Sequence, residues 1–286
     1  MERLRNSWEL VKASARVLDA DKELLVFPVL SAILALMVSL TFFLPMIFSG
    51  LMDSALFGNA QVTGLIVLFA FYVVQYTAIF FMNTALVGAA LIRLRGGDPT
   101  VSDGLRIAAS RFGAIVGYAL IASTVGVILQ ALSRRGRGLG RFVVSLLGMA
   151  WNLATYLVVP VLAAEGVGPI EAIKRSTVLL KKTWGEQIVG NLGIGSVFGL
   201  AGILLTLAMV PLFAVGLQMP QPTWFIVPLI MAYVLAIILL SLFQSTLSGI
   251  YTTAVYQYAV SGQPGDFFDP SLVRNAFRPA QRDFSL

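Results

Sequence analysis

Neither cysteine nor histidine occurs among these 286 residues. That double absence excludes disulfides, thiolate or imidazole metal sites, His-ligated haem, and Ser-His or Cys-His nucleophilic pairs within the chain. Charge is scarce as well: only 12% of residues are Asp, Glu, Lys or Arg, against about 25% in an ordinary soluble domain. Several stretches of roughly 20 to 35 residues contain none of the four, which water does not tolerate and a bilayer does. No phosphate-cradling glycine motif and no carboxylate cluster is present. No cofactor or metal is therefore expected, and no enzyme activity.

What is abundant is apolar: 58% of the residues are hydrophobic. The expected fold is all-α, a polytopic membrane bundle of about six transmembrane helices within one integral membrane domain, 1–286. An N-terminal amphipathic helix occupies 1–23, the spans fall within 24–260, and a tail with a further amphipathic helix covers 261–286. The six spans are expected near Leu24–Phe48, Val62–Ile92, Phe112–Leu132, Phe142–Ala164, Ile188–Leu217 and Trp224–Val260. The sixth run exceeds a hydrocarbon core of about 30 Å, at 1.5 Å per residue, so its C-terminal half with Gln244, Ser245, Thr246, Thr252, Thr253 and Gln257 is expected inside the bundle or beyond the membrane. The first 23 residues hold Glu9, Asp19, Asp21 and Glu23 and no continuous apolar core. They do not resemble a cleavable signal peptide, and the default address is a prokaryotic cytoplasmic membrane.

The net charge of +6 does not indicate nucleic acid, because the basic residues sit in short segments between apolar runs, where they act as topology signals. With both termini in the cytoplasm, all but four of the 20 Lys and Arg residues fall on the cytoplasmic side. The four exceptions are Arg134, Arg135, Arg137 and Arg141. They lie outside if spans three and four each cross, and inside only if both spans are re-entrant.

Four segments have amphipathic helical spacing: Leu4, Trp8, Val11, Ala15 and Leu18; Val101, Leu105, Ala108 and Phe112; Ile170, Ile173, Thr177, Leu180 and Trp184; and Leu272, Val273, Ala276 and Phe277. They are expected to lie in the membrane plane on the cytoplasmic side. The last three each follow a span, a turn and a proline, at Asp98-Pro99, Gly168-Pro169 and Asp269-Pro270, where proline suits the first helical position and the aspartates suit the cap.

The basic residues of these segments, Arg106, Arg111, Lys174, Arg175, Lys181, Lys182, Arg274 and Arg278, are the candidate contacts for anionic lipid at the membrane surface. Glu165 can pair with a basic residue of the helix that follows it. Five uncharged polar residues lie at bilayer depth: Gln75, Asn83, Asn152, Asn191 and Gln244. They read either as a polar lining for a solute path or as interhelical hydrogen bonds averaging about 0.6 kcal/mol, and the second reading is preferred. Close helix packing is expected at Gly113-xxx-Gly117 and at Gly190, Gly193, Gly195, Gly199 and Gly202. Kinks are expected at Pro28, Pro45, Pro160, Pro211 and Pro228.

Several runs together carry a resemblance. They are Trp8-Glu9-Leu10 with Asp21-Lys22-Glu23-Leu24, Val159-Pro160-Val161 with Glu165, Gly168-Pro169-Ile170-Glu171-Ala172, Arg175-Ser176, Thr183-Trp184-Gly185-Glu186, Tyr256-Gln257-Tyr258-Ala259 and Ala276-Phe277-Arg278-Pro279. In these the chain resembles an uncharacterised prokaryotic multi-pass family, a domain of unknown function, over essentially its whole length. The span-turn-amphipathic unit is similar to the membrane domain attached to some glycerophosphodiester phosphodiesterases, whose catalytic domain has no counterpart here. Neither resemblance implies an activity. The expected role is a non-catalytic binding or organising component of the membrane; the alternative is a permease or transporter subunit for a small solute or lipid. Expected partners are the bilayer and its anionic lipids, with room for a membrane or cytoplasmic protein partner or a homo-oligomer.

Overall fold

In the structure, a computed structural model, the described residues are 2–49, 61–135, 139–184, 194–218 and 222–275. All regular structure among them is helical. Helix α1 (Glu2–Ala20) leads through a 3-10 turn (Lys22–Leu25) into α2 (Val26–Phe48); α3 (Gln61–Leu94), α4 (Val101–Ser110), α5 (Phe112–Arg135) and α6 (Leu139–Ala154) follow. Then come α7 (Val158–Glu165), α8 (Pro169–Trp184), α9 (Ile194–Leu217), α10 (Pro222–Ser261) and α11 (Pro270–Asn275). Six segments have the length and apolarity to cross a bilayer: Lys22–Phe48, Thr63–Leu94, Phe112–Ser133, Gly140–Glu165, Val197–Leu217 and Thr223–Ser261. The protein is a multi-pass membrane protein built as an all-α bundle.

The spans converge at one end, where α2, α3, α5, α7, α9 and α10 share one buried cluster with α1, α4, α8 and α11. Leu24, Phe27, Leu86, Ile115, Leu157, Leu162, Ile194 and Ile250 lie at its centre, each at most 2% exposed. Away from this end the same spans present large apolar side chains outward, as Leu36 and Met37 do on α2, Leu204 and Leu207 on α9, and Met231 and Leu235 on α10. Bilayer hydrocarbon suits that surface and water does not. Hydroxyls within the spans bond their own helix: Thr84 Oγ1 donates to the Phe80 carbonyl at 2.7 Å, Thr246 to Leu242 at 2.9 Å and Thr253 to Gly249 at 2.7 Å. Burial therefore leaves none of these three unsatisfied.

The C-terminal half of α10 packs inside the bundle, with Thr246, Ile250, Thr253 and Ala254 fully buried. Helix α5 runs unbroken from Ile115 in the buried cluster to Arg135, a rise of about 30 Å, and α6 with α7 returns. Spans three and four each have the length to cross, and Arg134, Arg135 and Arg141 stand at the end of this pair away from the buried cluster; Arg137 lies outside the described residues.

The amphipathic helices pack differently from expectation. In α1 the buried face is Leu10, Ala13, Ser14 and Val17 with Val11 and Leu18, while Trp8 is 50% exposed. In α8 it is Ala172, Ser176, Leu179 and Leu180, with Ile170 and Thr177 turned out. Small side chains let these helices sit close against the span ends. The bulky Trp8, Phe112, Ile170 and Val178 are left exposed on their helices. Val273 of the fourth segment is buried, but Ala276 and Phe277 lie outside the described residues.

The turns show why the chain reverses where it does. Helix α3 ends in a Schellman motif: Gly96, at φ +84°, donates to Arg93 O at 3.0 Å, and Gly97 donates to Ile92 O at 3.0 Å. Only glycine takes that left-handed position without strain. The cap of α4 is Thr100, not Asp98: Thr100 Oγ1 accepts from the Asp103 amide, and the Asp103 carboxylate accepts from the Thr100 amide. Asp98 instead accepts from Arg93 at 3.0 Å. Pro169 and Pro270 do open their helices, and Asp269 caps α11 by accepting from the Ser271 amide at 2.7 Å.

Glycine packing also falls elsewhere than expected. A Cβ on Gly113 or Gly199 meets open space, and one on Gly195 or Gly202 finds only ordinary contact. Gly190 and Gly193 lie outside the described residues. Of the expected set only Gly117 is tight, against Pro169 at 2.9 Å; helices approach closely instead at Gly104, where a Cβ falls 2.6 Å from the Ala85 carbonyl and 2.5 Å from Phe27 Cζ, and at Gly249, where it falls against Leu86 Cδ2.

Candidate functional site

Span four breaks between α6 and α7, and proline chemistry explains the position. Pro160 has no N–H for the carbonyl four residues back, Tyr156, and its ring crowds that carbonyl. The break falls at residues 155–157. By contrast α2, α9 and α10 continue through Pro45, Pro211 and Pro228. The buried Leu157 amide at the break donates to Ser176 Oγ of α8 at 3.0 Å.

Beside this break lies a cavity of about 520 Å³. Helix α3 contributes Asn83, Leu86 and Val87; the break and α7 contribute Tyr156, Val159 and Pro160. Helix α10 contributes Ser241, Gln244, Ser245, Ser248, Gly249 and Thr252. The wall sets hydroxyls and amides beside apolar side chains and carries no charged side chain. Tyr156 is nine residues before the end of α7 and Asn83 eleven before the end of α3, a rise of roughly 13 to 16 Å, and the break at the cavity's side lies against Ser176 of α8. Ser241 and Ser245 are exposed, so the cavity opens sideways through the α10 edge. Among the described residues no hydrogen bond engages the side-chain amides of Asn83 or Gln244.

Two of the five polar residues singled out from sequence, Asn83 and Gln244, thus meet in one place. Gln75 does not join them; its Oε1 is buried elsewhere on α3 without a partner. Asn152 is exposed on α6, and Asn191 lies outside the described residues. The residues that sequence reasoning missed are Tyr156, Ser241 and Ser248, while Ser245 and Thr252 were expected only to lie inside the bundle or beyond the membrane. A signal for both serines was available: Ser241, Gln244, Ser245, Ser248 and Thr252 recur at i, i+3, i+4, i+7 and i+11, one polar stripe along the helix.

At the packed end, Glu165 joins three helices. It accepts from Arg175 Nε with both oxygens at 3.1 Å and from the Tyr256 hydroxyl at 3.0 Å. Gly166, at φ +66°, closes α7, and the Arg111 guanidinium lies where a Cβ would stand, 2.3 Å away at Nη1. The eight basic candidates therefore do not act alike. Arg111 and Arg175 belong to this junction, Arg106 pairs with Asp103, and Lys174 faces Glu171 at 4.0 Å. Lys181 and Lys182 stand exposed in the last turn of α8. The side chain of Arg274 and the whole of Arg278 lie outside the described residues.

Residues 62–267 match the family described as "Family of unknown function (DUF6159)". The matched range holds the whole cavity wall, whereas the runs at Trp8–Leu24 and Ala276–Pro279 fall beyond it. The search of the curated proteins found no match, so the similarity to the phosphodiesterase membrane domain gains no support. A match over more than two thirds of its length identifies this chain as a member of the DUF6159 family.

Proposed function

We propose that this protein is a non-catalytic binding component of a prokaryotic cytoplasmic membrane, which holds an amphiphile in the cavity between α3, α7 and α10. The carrying observation is an uncharged cavity with both polar and apolar walls that opens sideways through α10, a helix whose outward face is apolar. Its amides and hydroxyls hydrogen-bond without exchanging protons near neutral pH, which favours holding a molecule over transforming it. In this reading the packed end and both termini face the cytoplasm, because all but four of the 20 basic residues belong to that side. Lys174, Lys181 and Lys182 then meet the anionic inner leaflet, each contributing about 1 kcal/mol.

Native mass spectrometry of protein extracted with its lipids tests this reading. The wild type is expected to retain a lipid that Ser245→Phe, with a ring in the cavity mouth, loses. The triple change of Lys174, Lys181 and Lys182 to Gln is expected to weaken anionic lipid adducts and leave that retained lipid alone. A wild type that keeps no lipid sinks the proposal. Solute flux in proteoliposomes, abolished by Ser245→Phe, would replace binding with transport.

A further inference from the structure

We propose, resting on the binding reading above, that the cavity selects an uncharged lipid head group rich in hydroxyls, the sugar of a glycosylated diacylglycerol, over phospholipids. The wall offers no Lys or Arg to a phosphate and no carboxylate to an ammonium group. A charged head enclosed by this wall would lose water and gain no counter-charge from it. The Arg175 guanidinium at the packed end is taken up by Glu165.

The polar groups also have the right hydrogen-bonding character. The amides of Asn83 and Gln244 each donate and accept, as hydroxyls do. A phosphate only accepts, and a quaternary ammonium does neither. The stripe from Ser241 to Thr252 extends about 16 Å along α10, long enough to meet several hydroxyls in succession. Opposite it Leu86, Val87 and Val159 form an apolar wall for the first carbons of the chains. Exposed Ile238 and Phe243 flank the mouth on the same helix, so the chains can remain in the bilayer while the head group turns inward.

The test uses the full chain in maltoside micelles with equal amounts of dioleoylglycerol, monoglucosyl-dioleoylglycerol, phosphatidylglycerol and phosphatidylethanolamine, plus a separate arm of free glycerol. Native mass spectrometry is expected to show the monoglucosyl lipid retained about tenfold more than either phospholipid and more than dioleoylglycerol, which offers a single hydroxyl. Asn83→Leu and Gln244→Leu are each expected to cut that retention about tenfold, the equivalent of one hydrogen bond to the head group. Ser245→Leu, at the exposed mouth, gives the same loss without disturbing helix packing. Preferential retention of a phospholipid that Ser245→Leu displaces overturns the head-group assignment and leaves the binding reading standing. Retention of no lipid overturns both, and uptake of free glycerol alone overturns the assignment to a lipid.

Discussion

The two ends of this bundle are made from the same spans and obey different packing rules. On α3, Met82 to Leu91 is buried at nearly every position, whereas Leu65, Ile66 and Val74 of the other half face outward. On α10, Leu247 to Tyr256 is largely buried, and Val227 to Leu239 is not. The outward halves are the more apolar, as lipid requires, and the packed halves carry more small and hydroxyl-bearing residues: Ala85, Gly88, Ala89 and Ala90 on α3, and Ser248, Gly249, Thr252 and Thr253 on α10. In lipid an apolar side chain gains nothing by leaving the solvent, so helices associate where small residues let their backbones approach.

The sharpest way to break that comparison is to add one methyl group at each end. Gly104→Ala sets a Cβ against the Ala85 carbonyl and is expected to cost about 1–3 kcal/mol or more. Gly199→Ala meets open space and, in a helix interior, is expected to be neutral or to gain up to about 1 kcal/mol. Thermal unfolding of both variants in the same detergent decides the matter, and equal midpoints would refute the contrast.

Hydroxyls give a second version. Ser176→Ala strips the buried Leu157 amide of its acceptor and is expected to cost about 1–3 kcal/mol. Thr124→Ala removes a hydroxyl that only bonds its own helix, at the Leu120 carbonyl, and is expected to stay within about 0.5 kcal/mol. Glu165→Gln lies between these, because Arg175 keeps 43% of its side chain exposed. A loss of about 1 kcal/mol, shrinking as salt rises, is expected from denaturant unfolding at two ionic strengths.

These contrasts mark how far the sequence reached. Long uncharged runs disclosed the spans because nothing but lipid accommodates them. The pairing of Glu165 with the helix after it was legible from proximity in sequence. The faces of α1 and α8 were misjudged because ranking by hydrophobicity chose Trp8 and Ile170, while packing chose Ala13, Ser14, Ala172 and Ser176. Gly104 was overlooked since one glycine in a short helix has no pattern to betray a partner far away in sequence. The cavity was half legible: Asn83 and Gln244 stood out as amides, but only the fold brings α3 and α10 to the break at Tyr156.

The smallest effect tests the packed end against its own rim, through two aspartates with opposite shifts. Asp21, wedged between α1 and α2 with Arg93 3.6 Å away, has its carboxyl raised above the usual 3.8, since burial outweighs the pull of the guanidinium. Asp103, at the exposed cap of α4, is held below 3.8, first by the Thr100 hydroxyl and then by the Thr100 amide. A raised value means that folding favours the protonated acid, so this contribution is complete below the usual value and is lost as pH rises through the shifted one. A lowered value means the reverse: the contribution is present above the usual value and is lost as pH falls through the shifted one. Asp21→Asn is therefore expected to unfold at a slightly higher temperature than wild type at neutral pH, an advantage that shrinks towards about pH 3. Asp103→Asn is expected to unfold at a lower temperature at neutral pH, with a deficit that shrinks over the same range. If the two differences carry the same sign, burial does not govern Asp21, and the seam between α1 and α2 is wetter than the packing of Leu24 and Phe27 implies.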